Sequence, residues 1–130
     1  MGFINEKAIN HRKSEVRAKL FTAYPDETST VTQITNRATG VTLNATAGQI
    51  TTDDTSLAAG AEAVFTVTNS YVTAKSVILI SAASGQTAGT SIPIVTAVAA
   101  GSFDITLSNI HASTADTGPM VINFVVMDVN

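Results

Sequence analysis

Short runs in which apolar and hydroxyl-bearing residues alternate constrain the fold of this chain more than any other feature. The segment 65–68 reads FTVT, the segment 103–108 reads FDITLS, and 41–44 reads VTLN. Successive side chains of a β-strand point to opposite faces, so this period of two places the apolar set on one face and the polar set on the other. The pattern predicts strands that bury one face only.

Composition favours the same class of fold. The 130 residues include 20 Thr and 19 Ala but only 5 Leu, and the charged fraction of 13% is about half of the usual ~25%. β-Branched residues suit a pleated sheet, whereas the residues that usually build surface helices are scarce. An all-α protein and a doubly wound α/β protein are therefore disfavoured. The hydrophobic fraction of 45% and the net charge of −3 argue against intrinsic disorder.

Turn residues divide the second part of the chain into about eight candidate strands. Their approximate ranges are 28–35, 41–46, 49–52, 62–69, 76–83, 91–98, 102–109 and 119–129. Short strands at such spacing predict an all-β fold, a β-sandwich or jelly-roll-like body. Pro93 lies inside one run, which predicts an edge strand or a bulge there.

Two runs break the alternation, because segments 77–80 and 121–126 are apolar on both sides. Such runs suit central strands covered on both faces, or strands at a subunit interface. A weak repeat is also present: AAG at 58–60 precedes a strand that ends in Asn69, and AAG at 99–101 precedes one that ends in Asn109. The repeat indicates either equivalent strands on two facing sheets or chance similarity in a Thr/Ala-rich chain.

Charge separates the chain into an N-terminal arm, residues 1–24, and a β-sandwich domain, residues 25–130. Residues 1–20 carry a net charge of +3, whereas residues 21–130 carry −6. Pro25 disfavours helix at Tyr24 and begins a turn signal, which places the boundary there. The arm is either a solvated tail or a segment that becomes ordered on a partner.

A search for catalytic or ligand-binding motifs gives mostly negatives. The chain has no Cys, and its two histidines, His11 and His111, are far apart. His111 and Asp116 with a hydroxyl could form a triad, but no GxSxG motif supports one. Asp53-Asp54 suits a turn better than a Ca²⁺ site. We therefore expect no enzyme activity, no cofactor and no metal.

The same search disfavours nucleic acid and membrane as partners. Nucleotide-binding glycine motifs are absent, the body is acidic, and the arm lacks interleaved aromatic residues. No apolar run approaches the ~18 residues that a membrane-spanning helix needs. The first 20 residues also lack the apolar region of a signal peptide, so we expect synthesis in the cytoplasm.

Three segments resemble structural proteins of tailed bacteriophages. They are 31–52 (VTQITNRATGVTLNATAGQITT), 61–70 (AEAVFTVTNS) and 95–106 (VTAVAAGSFDIT), and the resemblance covers about residues 28–127. Proteins with such segments are described as head decoration (cement) proteins, head-fibre proteins or tail-fibre segments. The resemblance implies a β-sandwich or jelly-roll-like body, trimeric assembly and attachment to the outside of a capsid, with no catalytic motif to transfer.

The resulting hypothesis is a capsid decoration protein, made in the host cytoplasm and located on the outer capsid surface of the virion. Its partners would be the major capsid protein and itself, as a homotrimer. The arm would bind acidic capsid residues through Arg12, Lys13, Arg17 and Lys19. The predicted trimer interface uses the two apolar runs: Val77, Leu79, Val121, Phe124 and Val126.

Two other functions remain open from the sequence. A phage fibre or host-surface module would bind a glycan through loops 84–90 and 110–118, with Tyr24 and Tyr71 as the available tyrosines. A jelly-roll hydrolase or lyase would need clustered histidines and carboxylates, which two distant histidines do not supply.

Overall fold

All eight predicted strands are present in the structure, a computed structural model that describes residues 29–129. The strands are β1 Thr30–Thr32, β2 Val41–Thr42, β3 Ala47–Thr51, β4 Glu62–Thr68, β5 Ser76–Ser84, β6 Ser91–Ala99, β7 Ser102–Asn109 and β8 Val121–Asp128. The first two are shorter than predicted. One reason is that the Gln33 side-chain amide donates to the carbonyls of Arg37 (3.1 Å) and Thr39 (2.7 Å), which holds the chain in a loop after β1.

The strands form two four-stranded sheets, in the orders β1-β3-β8-β5 and β2-β4-β7-β6. β5 and β6 lie against each other at one edge of the sandwich, and β1 and β2 lie at the other. The all-β sandwich is thus confirmed. The jelly-roll arrangement is not confirmed: β1 pairs parallel to β3 and β2 parallel to β4, whereas jelly-roll sheets are antiparallel.

The core lies between the two sheets, and the alternating pattern correctly predicts which side chains enter it. Phe65 and Val67 of β4 are buried, whereas Thr66 and Thr68 between and after them are exposed. The rings of Phe103 and Phe124 meet across the sandwich with centroids 5.7 Å apart. The other fully buried apolar residues are Ile50, Ile105, Leu107, Met120 and Ile122.

The two runs that are apolar on both sides occupy different places. β8 is a central strand, as predicted, but β5 is an edge strand, so the central position is wrong for segment 77–80. Each sheet covers only one face of the other, and Val77 and Leu79 therefore remain 43% and 55% exposed. The second possibility for this run, a subunit interface, stays a prediction.

The interpretation of Pro93 is confirmed. It lies in β6, which is the edge strand of its sheet, and a bulge follows between Val95 and Ala97. A proline has no backbone N–H to donate, and an edge position tolerates that loss. Pro93 still pairs in register with Leu107 of the neighbouring strand.

The AAG…Asn repeat marks two strands of one sheet, so their placement on facing sheets was wrong. β4 and β7 are antiparallel neighbours, and each AAG turn meets the Asn at the end of the other strand. Gly60 N–H donates to the Asn109 carbonyl, and Asn69 N–H donates to the Gly101 carbonyl, both at 2.9 Å. Gly60 and Gly101 both have positive φ, at 73° and 83°.

The two asparagines make equivalent hydrogen bonds at opposite ends of this strand pair. Asn69 Oδ1 accepts from the Tyr71 N–H and Asn109 Oδ1 from the His111 N–H, each at 3.0 Å. Asn69 Nδ2 donates to the Ala45 carbonyl at 2.7 Å. Asn109 Nδ2 donates to the carbonyls of Leu57 and Thr114 at 2.9 Å. Each buried asparagine thus fixes the loop beyond its strand to a remote segment of backbone.

Gly85 and Gly118 permit a close backbone contact between two loops at one end of the sandwich. A Cβ on Gly85 would overlap the Pro119 carbonyl oxygen, and a Cβ on Gly118 would overlap the Gly85 carbonyl oxygen. Gly85 also has a φ of 95°, which side chains rarely adopt. Only glycine fits at both positions, because backbone rather than a flexible side chain occupies the space.

We expect Gly85→Ala to lower the free energy of unfolding by about 3 kcal/mol or more, since the loops must separate to admit the methyl group. Gly89→Ala is the matched control: its φ is also positive, at 73°, but nothing lies within 4 Å of the added Cβ. That variant should lose only about 1–2 kcal/mol, the cost of the backbone conformation alone. Urea unfolding measures both, and equal losses would contradict the close contact.

Candidate functional site

A buried arginine is the centre of the densest polar cluster in residues 29–129. Arg37, in the loop between β1 and β2, is only 3% exposed. Its Nε donates to the Thr55 carbonyl, and its Nη2 donates to the carbonyls of Asp116 (3.3 Å) and Gly118 (2.8 Å). Its Nη1 meets Asp116 Oδ2 at 3.4 Å, the one ion pair found in this range. The guanidinium therefore binds two other loops.

Asp116 extends this cluster to a fourth loop. Its Oδ1 accepts from the backbone N–H groups of Thr87 (2.9 Å) and Gly118 (3.2 Å). Burial tends to raise the pKa of this carboxyl, but hydrogen bonds and the Arg37 charge outweigh that effect and lower it. The Ser91 hydroxyl also lowers the pKa, although its Oγ makes no hydrogen bond of normal geometry.

The cluster is a structural clasp rather than a reactive site. The carboxylate and the guanidinium form hydrogen bonds with backbone groups and with each other, and both side chains are almost completely buried from solvent. A catalytic acid or base must reach a substrate proton within hydrogen-bond distance. The clasp instead holds together the four loops 33–40, 52–61, 85–90 and 110–120 at one end of the sandwich.

The candidate triad does not form around His111. Its Nδ1 accepts hydrogen bonds from the backbone N–H groups of Ser113 (3.1 Å) and Thr114 (2.9 Å), so that nitrogen is occupied within its own loop. Asp116 is bound to Arg37 instead. His11, in the arm, lies outside the described residues.

The Asp53-Asp54 pair forms the predicted turn. Asp53 Oδ1 accepts from the Thr55 hydroxyl and from the Thr55 backbone N–H, the latter at 2.8 Å. These two hydrogen bonds lower the pKa of Asp53. In the part of the chain that the structure describes, no three His, Asp or Glu side chains come together as a metal site. That part also contains no helix that could span a membrane.

The predicted interface residues divide between the inside and the outside of the sandwich. Phe124 is a correction: it is 2% exposed and packs in the core, because it has the same parity along β8 as buried Ile122. Val126 likewise packs against the core on the inner face. Val121 is half-buried, and Val77 and Leu79 face outward. The arm residues Arg12, Lys13, Arg17 and Lys19 lie outside the described residues.

The outward-facing apolar residues of the first sheet form one continuous surface, here named the β5–β8 patch. It consists of Val77, Leu79, Val125 and Met127, since Val77 pairs with Met127 and Leu79 with Val125 in the ladder. Paired residues of antiparallel strands lie side by side on the same face. Val77, Leu79 and Met127 are 43%, 55% and 49% exposed.

A second apolar surface lies on the outside of the other sheet and was not predicted. This β4–β6 patch consists of Val64, Thr106, Ile92 and Ile94, with Val64, Thr106 and Ile94 in one row across three strands. Val64, Ile92 and Ile94 are 48%, 41% and 43% exposed. The sequence signal was available, because residues 92–95 read IPIV and are apolar on both sides, like segment 77–80.

Comparisons with known proteins identify no relative: no family model, no curated protein and no solved structure matches this chain. The loops considered for glycan binding do lie side by side, since Thr117 N–H donates to the Thr87 hydroxyl at 3.1 Å. Tyr71 follows β4 at the opposite end of the sandwich and is therefore remote from those loops. Tyr24 is outside the described residues.

Asp116→Ala should lower the free energy of unfolding by about 3–5 kcal/mol, because it leaves the Arg37 charge buried without a partner. Asp54→Ala, which removes an exposed carboxylate, should change it by less than about 0.5 kcal/mol. Urea unfolding at pH 7 measures both values. A loss below about 1 kcal/mol for Asp116→Ala would contradict the clasp.

The same clasp predicts a pH dependence. The pKa of Asp116 is lower in the folded protein than in the unfolded chain, so its stabilisation is complete above the unfolded pKa and is lost as pH falls through the folded pKa. Between about pH 5 and pH 2, wild-type stability should fall more steeply than that of Asp116→Asn. Parallel curves for the two proteins would exclude this role for the carboxylate.

Proposed function

We propose that the chain is a structural protein of a tailed-phage virion: a capsid decoration protein that binds the outer surface of the head as a homotrimer and stabilises it. Six of the ten large hydrophobic residues that are most exposed in residues 29–129 lie on the outer faces of the two sheets. Contiguous exposed apolar surface of this kind is typical of protein–protein contact. This concentration is the observation that carries the proposal.

The chemistry of the described residues is consistent with a structural role. The most buried charged groups form a saturated clasp, the histidine is used within its loop, and the paired aspartates form a turn. The resemblance of segments 31–52, 61–70 and 95–106 to structural proteins of tailed phages, among them head decoration proteins, suggests the kind of partner. The partner is thus the major capsid protein, bound from outside.

The proposed mechanism is multivalent attachment. A trimer carries three basic arms, and each arm needs only a weak electrostatic contact with an acidic region of a capsid subunit. Linking the arms through one trimer makes the second and third contacts intramolecular, which raises the overall affinity by about 10²–10⁴-fold. Shell stabilisation then follows because one trimer connects several capsid subunits.

The test of this function is co-sedimentation with empty heads assembled from the major capsid protein encoded in the same genome. We expect the native protein to have three times the mass of the 13.4 kDa chain and to sediment with the heads. Decorated heads should also withstand a higher temperature than bare heads. A protein that neither sediments with the heads nor protects them would overturn the proposed function.

Removal of the arm's charges should weaken attachment without affecting assembly of the body. The full-length variant R12Q/K13Q/R17Q/K19Q should bind heads at least about 100-fold more weakly, because three electrostatic contacts are lost together. Wild-type binding should weaken with added salt, since exposed charges are screened. The control E6Q/E15Q alters the arm without removing a cation and should bind at least as well as wild type. Unchanged binding by the fourfold variant would refute anchoring by the arm.

A further inference from the structure

We propose that the trimer closes through contacts between unlike surfaces, in which the β5–β8 patch of one copy packs on the β4–β6 patch of the next. The edge formed by β5 and β6 then faces the threefold axis. This inference rests on the proposed function only for the number of copies. The sequence predicted interface residues on β5 and β8 only. The inference adds the β4–β6 patch, on the other sheet, as the second half of the interface.

The geometry of the sandwich suits a ring of this kind. β5 belongs to one sheet and β6 to the other, and the two strands lie against each other at a single edge. The two patches therefore lie on opposite faces of the sandwich and flank that edge. A cyclic trimer needs two different surfaces on every chain, one for each neighbour, and cannot be built from one self-complementary surface.

The unpaired strand edges supply a second argument. β5 and β6 are nine residues each and end their sheets, whereas β1 and β2, at the opposite edge, have three and two residues. A long exposed edge strand is a template for uncontrolled pairing, and natural proteins shorten such edges or cover them. The β1/β2 edge is already short. Placement of the β5/β6 edge at the axis would cover the long one.

Charge favours contact between unlike patches over contact between identical ones. Lys75, two residues before Val77, is the one Lys or Arg side chain exposed in residues 29–129, since Arg37 is buried. The β4–β6 patch is flanked by Glu62 in one neighbouring row and Asp104 in the other. Contact between two β4–β6 patches would bring carboxylates together, whereas contact between unlike patches brings Lys75 towards Glu62 and Asp104. Asp128 also borders the β5–β8 patch, but its carboxylate already accepts a hydrogen bond from the Ser76 hydroxyl.

Both patches can lose water at little cost. Neither contains a charged side chain, and Thr106, the polar member of the β4–β6 patch, shares a hydrogen bond with Thr96 at 2.9 Å. Interface centres are depleted of charge for the same reason. On the first sheet the patch ends where Gln49 donates to Asn123 at 2.9 Å, which places polar groups at its rim.

The arrangement also fixes where the first described residue of each chain lies in the trimer. Ser29, the first described residue, precedes β1, whose sheet position is at the edge opposite β5. With the β5/β6 edge at the axis, the Ser29 residues of the three copies therefore lie at the outer rim of the trimer.

The test is a charge swap on the full-length chain, followed by native mass from light scattering over a range of concentrations. Leu79→Glu alone and Ile94→Lys alone should each weaken trimer formation at least about 100-fold, because each buries a charge without a partner. The double variant should recover to within about tenfold of wild type, since every unlike contact then carries opposite charges. A second double variant combines Leu79→Glu with Ile92→Lys, because Ile92 and Ile94 lie two residues apart on the same face and either could face Leu79 of the neighbouring copy.

Two controls keep the outcomes interpretable. Ile34→Glu changes an isoleucine that is 86% exposed but lies in the loop after β1, outside both patches, and it should stay trimeric. Circular dichroism and urea unfolding verify that each single variant is folded. If either variant is unfolded, Leu79→Ser and Ile94→Ser take its place, and each should weaken assembly about tenfold.

Three results would overturn the inference. The wild type could be monomeric, a single charged variant in either patch could keep the native mass of the trimer, or neither double variant could regain that mass. Failure of the proposed function gives a different result. A trimer that obeys the charge swap but ignores capsid shells would leave the interface intact and remove the decoration role. If both single variants stay trimeric and still decorate heads, the decoration role stands and the proposed interface is refuted.

Discussion

Each sheet of the sandwich can cover only one face of the other, and this constraint determines most of what the molecule presents to its surroundings. The inner faces form a core in which Phe103 and Phe124 meet. The outer faces are not covered by the fold itself and contact either solvent or another protein. Hydroxyl-bearing residues occupy much of that surface, but Leu79 and Ile94 do not follow the pattern. Exposed aliphatic side chains on a charge-poor protein make sense where the working state is an assembly.

The Arg37 clasp has a different role, which is to order the loops at one end of the sandwich. Four loops converge at one end of the sandwich, and their backbone carbonyls and N–H groups need partners once they are close together. One guanidinium and one carboxylate satisfy several of these groups at once. The glycines at 85 and 118 then allow the loops to touch through backbone. At the opposite end, Asn69 performs a smaller version of the same task.

The sequence predicted the strands and their buried faces well, because a period of two directly reports which side of a strand is covered. It did not predict which strands pair, since the alternation within a strand is the same whichever strand lies beside it. The parallel pairing of β1 with β3, for example, has no counterpart in the sequence pattern. The run that contains Phe124 is apolar on both sides, which predicts an interface, although parity along β8 places this side chain inside. The partnership of Arg37 with Asp116 spans 79 positions, and no local pattern links them. Pro93 interrupts the apolar run at Ile92 and Ile94, and a proline indicates a backbone constraint rather than an exposed apolar face.

The chain crosses repeatedly between the sheets, which has a consequence for how it folds. Strands β1 to β6 alternate between the two sheets, so neither sheet can be completed before the chain has crossed several times. The sheet β1-β3-β8-β5 needs both the first and the last strand, and apart from the β6–β7 pair every strand pairing joins strands that are not consecutive in the chain. Such topologies fold slowly, on a scale of about milliseconds to seconds, and without stable halves. Newly made chains would therefore reach the complete sandwich all at once, rather than through long-lived, partly formed bodies with exposed strand edges.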